Sequence, residues 1–348
     1  WQLTPHPFGE GIFGIERADR SVPLGNTLGH AQGRFYIQEA ASCLPPLALA
    51  VQPGEAVLDL AAAPGSKTTQ LAAQMQGRGL LVANELVTAR TKKLVFNLLR
   101  CGVPNALVTG LDGVRFGEAL PETFDAILLD APCSGEGTYR KDREALQHWS
   151  LARIEEMAFL QEQLLAAAWQ ALRPGGRLVY STCTLAPEEN ERVVSRFLQQ
   201  QEDVAELVDL HGLFAGAEEC TGLTEFDGVE YPGMERTLRL WPHRIDCEGF
   251  FVAALRKADD GMASARKVKT SKQHQLSRRE ADELIAFLQN GFGFAIPADA
   301  TVIKRESEKR TDYWLLPADG LAVLAVLPVS RPGIRIAERH GDSLKLDH

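Results

Sequence analysis

From about residue 55 the chain alternates short apolar runs with longer amphipathic stretches, and this alternation restricts the folds it can adopt. The apolar runs are nearly continuous, as is typical of strands that are buried on both faces of a sheet. They cover residues 56–60, 80–85, 106–109, 124–130 and 177–180. Short buried strands separated by helices predict an α/β fold in which helices cover both faces of a parallel sheet.

The stretches between these strands predict helices. Their apolar residues recur with helical spacing over residues 67–75, 88–101, 151–172 and 188–201. Pro187 lies at the start of the last stretch, where proline is favoured. Residues 173–176, with the sequence Arg-Pro-Gly-Gly, are expected to end the third helix and turn the chain into the next strand. A further apolar run at residues 250–255 predicts an antiparallel strand at the end of the sheet.

The composition divides the chain into four predicted regions. Residues 1–54 form a leading segment rich in Gly and Pro, which we expect to continue upstream of Trp1, and residues 55–258 form the α/β domain. Residues 259–279 form a basic linker, because residues 265–279 carry six Lys or Arg and no acid. A solvated linker without a partner would have the same composition. Residues 280–348 predict a small, mostly β domain with one helix and strands at 311–317, 321–329 and 332–338.

The composition also argues against several classes of protein. No apolar run reaches the ~18 residues that a membrane span requires, and no signal-peptide pattern opens the chain, so we expect a soluble, cytoplasmic protein. The six cysteines form neither a Cys-x-x-Cys pair nor a cluster with histidine, which argues against a zinc site and a disulfide framework. The net charge of -9 counts weakly against nucleic-acid binding, although a local basic patch is sufficient for it.

A turn of small residues follows the first strand. Residues 61–68 read Ala-Ala-Ala-Pro-Gly-Ser-Lys-Thr and lead into a predicted helix, whose N-terminus would point its N–H groups at a bound ligand. The dinucleotide pattern Gly-x-Gly-x-x-Gly is absent, and Gly65-Ser66-Lys67 lacks the spacing of a phosphate-binding loop. The turn therefore favours neither hydride transfer nor nucleotide hydrolysis.

Four predicted strands end at or near an acid. These acids are Asp59, Glu85, Asp112 and Asp130. In open α/β sheets the carboxyl ends of the strands line the ligand crevice, and Glu85, twenty residues beyond Gly65, is placed to accept hydrogen bonds from ribose hydroxyls. Each acid alone is more often a helix cap or a solvated turn residue. Four in succession indicate a nucleoside ligand, and S-adenosyl-L-methionine fits best because no diphosphate cradle is present.

Two cysteines, Cys133 and Cys183, follow neighbouring strands at the same edge. Thiols there suit methylation at carbon 5 of cytosine, because a thiolate that adds to C6 makes C5 nucleophilic. We expect a thiol with a lowered pKa, helped by Lys67 or a helix N-terminus, and we expect Asp130 near N3 of the base. The pattern does not say which thiol adds, and a lone cysteine is more often a buried, inert thiol.

At these residues the chain resembles a known family. Residues 59–68, 130–135 and 181–185 resemble the RNA 5-methylcytosine methyltransferases of the Nop/Sun (RsmB/Nop) family, most closely bacterial members that act on 16S ribosomal RNA. The likeness continues through residues 35–40, 140–142 and 246–252 and the tail near Gly333. It covers essentially the whole chain.

The resemblance implies a Rossmann-like methyltransferase fold with a PUA-like RNA-binding domain at residues 280–348. It implies that Cys183 is the nucleophile and that Cys133 assists breakdown of the covalent intermediate. The implied cofactor-binding residues are Ala61, Ala62, Ala63, Pro64, Gly65, Ser66, Lys67, Glu85, Asp112 and Asp130. The implied substrate is a decoding-region cytosine of 16S rRNA, within the small ribosomal subunit. We further expect a monomer that uses no metal.

Two other functions stay open. The same chemistry on transfer RNA differs only in its substrate, and assays of stripped rRNA, whole subunits and tRNA would separate the two. A catalytically inactive RNA-binding assembly factor would show decay at the cysteines or at residues 64–67, and neither is visible.

Overall fold

The computed structural model describes residues 1–140, 143–147, 149–259, 261 and 274–347. Its helices are α1 (Leu28–Ala31), α2 (Leu44–Leu49), α3 (Ser66–Met75), α4 (Thr88–Arg100), α5 (Phe116–Ala119), α6 (Leu151–Ala171), α7 (Glu191–Gln200), α8 (Arg278–Phe292) and α9 (Gly320–Val326). Its strands are β1 (Gln2–Pro5), β2 (Phe13–Glu16), β3 (Ala56–Asp59), β4 (Leu80–Asn84), β5 (Ala106–Thr109), β6 (Phe124–Asp130), β7 (Leu172–Thr182), β8 (Ala205–Val208), β9 (Glu225–Phe226), β10 (Val229–Glu230), β11 (Leu238–Leu240), β12 (Phe250–Lys257), β13 (Ala300–Glu306), β14 (Thr311–Pro317), β15 (Val329–Pro332), β16 (Ile334–His340) and β17 (Ser343–Leu346).

The largest sheet has the predicted parallel strands at its centre. Its order is β11-β12-β7-β6-β3-β4-β5-β15, with β8 also paired to β12. Strands β3 to β7 run parallel, so their carboxyl ends share one edge. The chain passes from β3 to β4 and β5, and then returns to the other side of β3 with β6 and β7. Open α/β sheets bind ligands at such a reversal, which here lies at the carboxyl ends of β3 and β6.

Two apolar clusters cover the two faces of this sheet. One contains side chains of α5, α6 and α7, including Leu165, and the other contains side chains of α2, α3 and α4, including Leu71. Successive strand residues alternate between them, as Val57 and Leu58 do. The predicted sheet with helices on both faces is therefore confirmed, and its close-packed interior fixes the positions of the strand ends.

Strand β12 runs antiparallel to β7, as predicted. The prediction that it ends the sheet is wrong, because β8 and β11 both pair with its other edge. Strand β11 has only the residues Leu238–Leu240, with Arg239 at its centre. Such a short segment with a charged centre carries no strand pattern.

The predicted turn at residues 173–176 is present, but it interrupts a strand. Helix α6 ends at Ala171, and β7 pairs Leu172 with Phe124 and then Arg177 with Ala126. The residues between these pairs loop out of the sheet, with Gly175 at a φ of 73°. The turn therefore lies inside β7 rather than ahead of it.

Helix α7 begins at Glu191, so the predicted start at residue 188 is wrong. The residues before it form turns, and Glu189 and Asn190 are fully buried. The Tyr180 hydroxyl donates to the Glu189 carbonyl oxygen at 2.5 Å, and the Thr182 hydroxyl donates to Asn190 Oδ1 at 2.5 Å. These bonds to β7 give Glu189 and Asn190 a tertiary role that helical spacing does not reveal.

The C-terminal region has an antiparallel sheet of its own, in the order β13-β14-β16-β17. Helix α8 packs Leu284 and Leu288 against Tyr313 and Ala337 of that sheet. The predicted strand at residues 321–329 is wrong, because Gly320–Val326 form α9. A short apolar run suits a helix or a strand equally well in sequence.

Strand β15 connects this region to the large sheet. It pairs antiparallel with β5, and the Ser330 hydroxyl donates to the Val108 carbonyl oxygen at 2.9 Å. Leu316 and Val323 belong to the same apolar cluster as the side chains of α6. The boundary at residue 280 and the PUA-like assignment stay predictions, but this region shares a sheet and an apolar cluster with the α/β domain.

Several predicted features lie outside the described residues. They include most of the basic linker, with Arg266, Lys267 and Lys269, and two positions of the family resemblance, Lys141 and Asp142. Within residues 1–54, β1 and β2 form a hairpin. Among the described helices, none is long and apolar enough to cross a membrane.

Candidate active site

The turn between β3 and α3 is built from small residues in a tight path. The Ala63–Pro64 peptide is cis. Gly65 has a φ of 107°, which favours glycine, and a Cβ at this position would lie 3.1 Å from Leu94 Cδ1. Helix α3 then begins at Ser66, and the first N–H groups of a helix have no partner within it. The turn therefore offers backbone donors to a ligand at the end of β3.

Asp59 ends β3 and is almost fully buried. The Thr68 hydroxyl donates to its Oδ2 at 2.7 Å, whereas Oδ1 has no hydrogen-bond partner among the described residues. Burial, together with the charge of Asp130, raises the pKa of Asp59 to about 7. A buried acceptor without a donor is costly, and an ammonium or hydroxyl group of a ligand would satisfy it. S-adenosyl-L-methionine carries both kinds of donor, so these residues fit that cofactor.

Glu85 lies just beyond β4, as predicted, and is buried. Its Oε1 accepts from the Val87 N–H at 2.8 Å, and its Oε2 lies 3.3 Å from Arg90 Nη1. Arg90 also donates to the Ala63 carbonyl oxygen at 2.6 Å. Arg90 therefore connects the acid to the turn, a role that its place in the polar face of α4 does not indicate.

Asp112 caps a short turn, which is a common role for a single acid in a loop. It is exposed and accepts from the Val114 N–H at 3.3 Å, which caps a short 3-10 turn. Asp112 follows β5, and the last residue of that strand, Thr109, accepts a hydrogen bond from the Glu85 N–H at 3.1 Å. Asp112 therefore shares the sheet edge with Glu85.

Lys67 and Asp130 form an ion pair at the end of β6. Lys67 Nζ lies 2.7 Å from Asp130 Oδ2, and the Ser181 hydroxyl donates to Asp130 Oδ1 at 2.8 Å. Burial opposes the charge of Lys67, but the Asp130 carboxylate outweighs it and raises the pKa of Lys67. The Lys67 ammonium also lies 5.4 Å from the centre of the Phe250 ring, a contact that sequence patterns do not show. The pair holds Asp130 in a fixed orientation.

The structure brings Cys133 and Cys183 into contact. Their sulfur atoms are 3.3 Å apart, beyond the ends of β6 and β7, and both side chains are partly buried. The hydrogen bond with Cys183 and burial raise the pKa of Cys133 well above its ordinary value. The lowered pKa predicted for the attacking thiol is therefore not a property of Cys133. The Lys67 ammonium hydrogen-bonds Asp130 at 2.7 Å instead.

Sequence patterns do not single out two carboxyl groups beside the cysteines. Glu136 and Glu189 both contact the hydroxyl groups of Ser134 and Thr184. An acid in a loop or near a helix start is usually solvated, so its sequence position carries no signal of burial.

Among the described residues, no group of His, Cys, Asp and Glu side chains is arranged to hold a metal ion.

Comparison with known proteins assigns the chain to a family. Residues 46–256 match the family described as 16S rRNA methyltransferase RsmB/F. The chain belongs to this family. It is 44% identical over 352 residues to ribosomal RNA small subunit methyltransferase F of Vibrio parahaemolyticus, covering 100% of this chain and 70% of that protein. The protein of that name from Klebsiella pneumoniae is 45% identical over 355 residues, covering 100% and 71%.

Solved structures of similar proteins have the same fold. A methyltransferase homolog from Pyrococcus horikoshii is 37% identical with a TM-score of 0.64, over 74% of this chain and 78% of that chain. NSun6 from Pyrococcus horikoshii, solved with the S-adenosylmethionine analogue SFG, is 33% identical with a TM-score of 0.57, over 68% and 56%. The predicted family and fold are therefore confirmed, and the chain is an S-adenosylmethionine-dependent RNA methyltransferase.

Proposed function

We propose that the chain transfers a methyl group from S-adenosyl-L-methionine to carbon 5 of a cytosine in 16S rRNA, in the decoding region of the small ribosomal subunit. The observation that carries the proposal is the 3.3 Å contact between the sulfur atoms of Cys133 and Cys183 at the carboxyl ends of β6 and β7. Methylation of an oxygen or an exocyclic nitrogen needs no thiol. Carbon 5 of cytosine becomes nucleophilic only after a nucleophile adds to C6.

Cys183 is the proposed nucleophile, by its match to the family. Its thiolate forms a bond to C6, and the π electrons of the ring shift toward N3. The Lys67–Asp130 pair lies at the end of β6, beside the cysteines, and supplies a proton and a fixed charge to N3. Because stacking hides C6 in a duplex, the target cytosine must be single-stranded or flipped out.

Cys133 is proposed to assist release. Its raised pKa keeps it a thiol while Cys183 attacks, so the two sulfurs do not compete for C6. After C5 is methylated, a base removes the C5 proton, the C5–C6 double bond re-forms, the bond between C6 and Cys183 breaks, and N3 returns its proton to the Lys67–Asp130 pair. The Cys133 thiol, 3.3 Å from the leaving sulfur, donates a hydrogen bond to it.

The cofactor is proposed to lie at the carboxyl ends of β3 to β6. The residues that would hold it are those of the turn at 61–67 with Glu85, Asp112 and Asp130, and we add Asp59 because its Oδ1 lacks a donor. S-adenosyl-L-methionine supplies an electrophilic methyl group when bound. The chain's own residues orient it and accept its hydrogen bonds.

The proposed partner is 16S rRNA within the small ribosomal subunit, in the cytoplasm. The PUA-like region at residues 280–348 and the basic linker at 259–279 would extend the contact with RNA beyond the target cytosine. Phosphate contacts of this kind position RNA without reading its sequence.

The test is the identity of the methylated nucleoside. The purified chain is incubated with methyl-labelled S-adenosyl-L-methionine and, separately, stripped 16S rRNA, whole small subunits and tRNA, and each RNA is digested to nucleosides. We expect label in 5-methylcytidine from small-subunit RNA. Label in another nucleoside would contradict the C5 chemistry, and label only in tRNA would contradict the proposed substrate.

A further inference from the structure

A buried polar cluster joins the two cysteine loops, and the proposed reaction does not use it. The cluster centres on Glu189, whose side chain has no exposed surface. Its members are Ser134, Glu136, Gln161, Thr184 and Glu189. Burying a carboxyl group is unfavourable unless it is neutral or well hydrogen-bonded. The burial of Glu189 therefore has to be explained by its protonation state and its hydrogen bonds.

Glu189 contacts both cysteine loops. The Ser134 backbone N–H donates to its Oε2 at 3.1 Å, and the Ser134 hydroxyl is hydrogen-bonded to its Oε1. The Thr184 hydroxyl lies 3.4 Å from the same Oε1. Ser134 and Thr184 directly follow Cys133 and Cys183 in the chain. One carboxyl group therefore spans the residues next to both sulfurs.

Helix α6 fixes this carboxyl group from a third direction. The Gln161 side-chain amide donates to Glu189 Oε2 at 2.7 Å and to the Pro132 carbonyl oxygen at 2.8 Å. Both bonds come from one fully buried amide, so Pro132 and Glu189 are held relative to each other. A carboxyl group held in this way keeps its orientation toward the cysteine loops.

The hydrogen atoms available to the cluster indicate a proton on Glu189. Ser134 Oγ contacts Glu189 Oε1, Glu136 Oε2 at 2.7 Å and Thr184 Oγ1 at 3.0 Å, while Thr184 Oγ1 lies 2.5 Å from Glu136 Oε1. Each hydroxyl has one proton to donate. With both carboxyls ionised, the single proton of Ser134 would face two carboxylates, and one contact would oppose lone pairs. A proton on one of the two carboxyls supplies the missing donor, and Glu189 is the better candidate because it is fully buried whereas Glu136 is partly exposed.

We propose that Glu189 is a positioning residue that, as a neutral carboxylic acid, holds the loops of Cys133 and Cys183 in the contact that catalysis requires. This inference rests on the proposed C5 chemistry. Burial is the largest influence on Glu189 and, with the nearby charge of Glu136, raises its pKa. The other titratable groups that face it are the Cys133 thiol and the Tyr180 hydroxyl.

The neutral state of Glu189 predicts a dependence of turnover on pH. A group with a raised pKa keeps its proton below that pKa and loses it as the pH rises through it. The ionised carboxylate would then repel Glu136 and would no longer donate to Ser134 Oγ. Turnover should therefore show an alkaline fall, in which kcat declines as the pH rises through the raised pKa of Glu189.

The test compares Glu189→Gln and Glu189→Ala with the same changes at the neighbouring, partly exposed Glu188. The full chain is assayed for kcat of rRNA methylation between about pH 6 and pH 9.5, and for its Kd for S-adenosyl-L-methionine. Glutamine mimics the neutral acid, so Glu189→Gln should keep the wild-type kcat at neutral pH and lose the alkaline fall. Glu189→Ala should lower kcat by on the order of 10²-fold without changing the Kd, because the loops lose their common partner. Both Glu188 variants should behave as wild type.

Three results would overturn the positioning role. They are a wild-type kcat in Glu189→Ala, a Glu189→Gln enzyme as impaired as Glu189→Ala, and an alkaline fall that is absent from the wild type or unchanged in Glu189→Gln. If Glu189→Ala does not fold, the pH profile of Glu189→Gln decides alone. A wild-type product other than 5-methylcytidine would refute the proposed chemistry itself, which is a different outcome.

Discussion

Cys133 and Cys183 touch each other but have different surroundings. A hydrogen bond with Cys183 and burial both raise the pKa of Cys133 and keep it protonated. Cys183 instead interacts electrostatically with the Lys67 ammonium, which lies at the neighbouring Asp130. The environment therefore keeps Cys133 a thiol, which agrees with its proposed role as the partner of the proposed nucleophile Cys183.

Replacing Cys183 by alanine should abolish methyl transfer, with a loss of about 10³-fold or more, because the covalent route to an activated C5 is removed. The Kd for S-adenosyl-L-methionine, measured by calorimetry, should not change, since the proposed cofactor residues are untouched. Cys101→Ala, at a partly buried thiol after α4, is the matched control and should keep full activity. Turnover retained by Cys183→Ala would end the nucleophile assignment.

For single residues, the sequence identifies candidates that follow strands, but it misses residues whose role depends on partners far away in the chain. Cys133, Cys183 and Asp130 can be singled out as candidates because the ends of parallel strands must meet at one edge, and Lys67 because it lies in the first turn of the helix that follows β3. Glu189 is not found, because its burial is created by Gln161 and Ser134, which lie 28 and 55 residues away in the chain. No local pattern encodes such contacts.

The same distinction holds for the elements. Strands β3 to β6 match their predicted positions because a continuous apolar run needs no partner to be identified as buried. Strand β11 is missed because its central Arg239 suggests solvent, yet Arg239 and Glu191 are both fully buried and paired with each other. Arg239 also donates to the Leu185 carbonyl oxygen at 2.8 Å, which attaches β11 to the Cys183 loop.

The two cysteine loops also pack closely through Gly137. Its N–H donates to the Cys183 carbonyl oxygen at 3.0 Å, and a Cβ at Gly137 would lie 2.5 Å from the carbonyl oxygens of Cys183 and Gly249. Gly137→Ala should therefore force the loops apart. We expect a loss of about 1–3 kcal/mol in the free energy of unfolding, measured by urea denaturation, together with a reduced kcat.

The matched control for this prediction is Gly212→Ala, where a Cβ would meet no atom within 4 Å. That variant should keep the wild-type stability and activity. If Gly137→Ala proved as stable and as active as Gly212→Ala, close contact between the loops would not be needed.

For the whole molecule, the sequence predicts the layered α/β fold and a β-rich C-terminal region, but not how they are joined. Strand β15 pairs with β5, and the Ser330–Val108 bond closes a separation of 222 residues. Pairing over such a distance depends on the complete tertiary structure rather than on either segment. Through β15, the C-terminal region consequently adds a strand to the large sheet, whose strand ends carry the candidate active site.

The whole chain also has a net charge of -9, which on its own does not suggest an RNA-binding protein. Its membership of the RsmB/F family shows that the overall charge is a poor guide here. A phosphate backbone responds to local charge within about 10 Å, the distance over which salt screens charges at moderate ionic strength. The predicted basic linker is one candidate for such local charge.

The most direct test of the proposed mechanism is a covalent complex between the whole protein and its RNA. Cys133→Ala is incubated with labelled 16S rRNA and S-adenosyl-L-methionine and run on a denaturing gel. We predict a slowly migrating RNA band that protease removes and that is absent from the Cys133→Ala/Cys183→Ala double variant, because Cys183 attacks C6 and is released slowly without Cys133. No shifted band with Cys133→Ala, or a band that persists in the double variant, would contradict the mechanism.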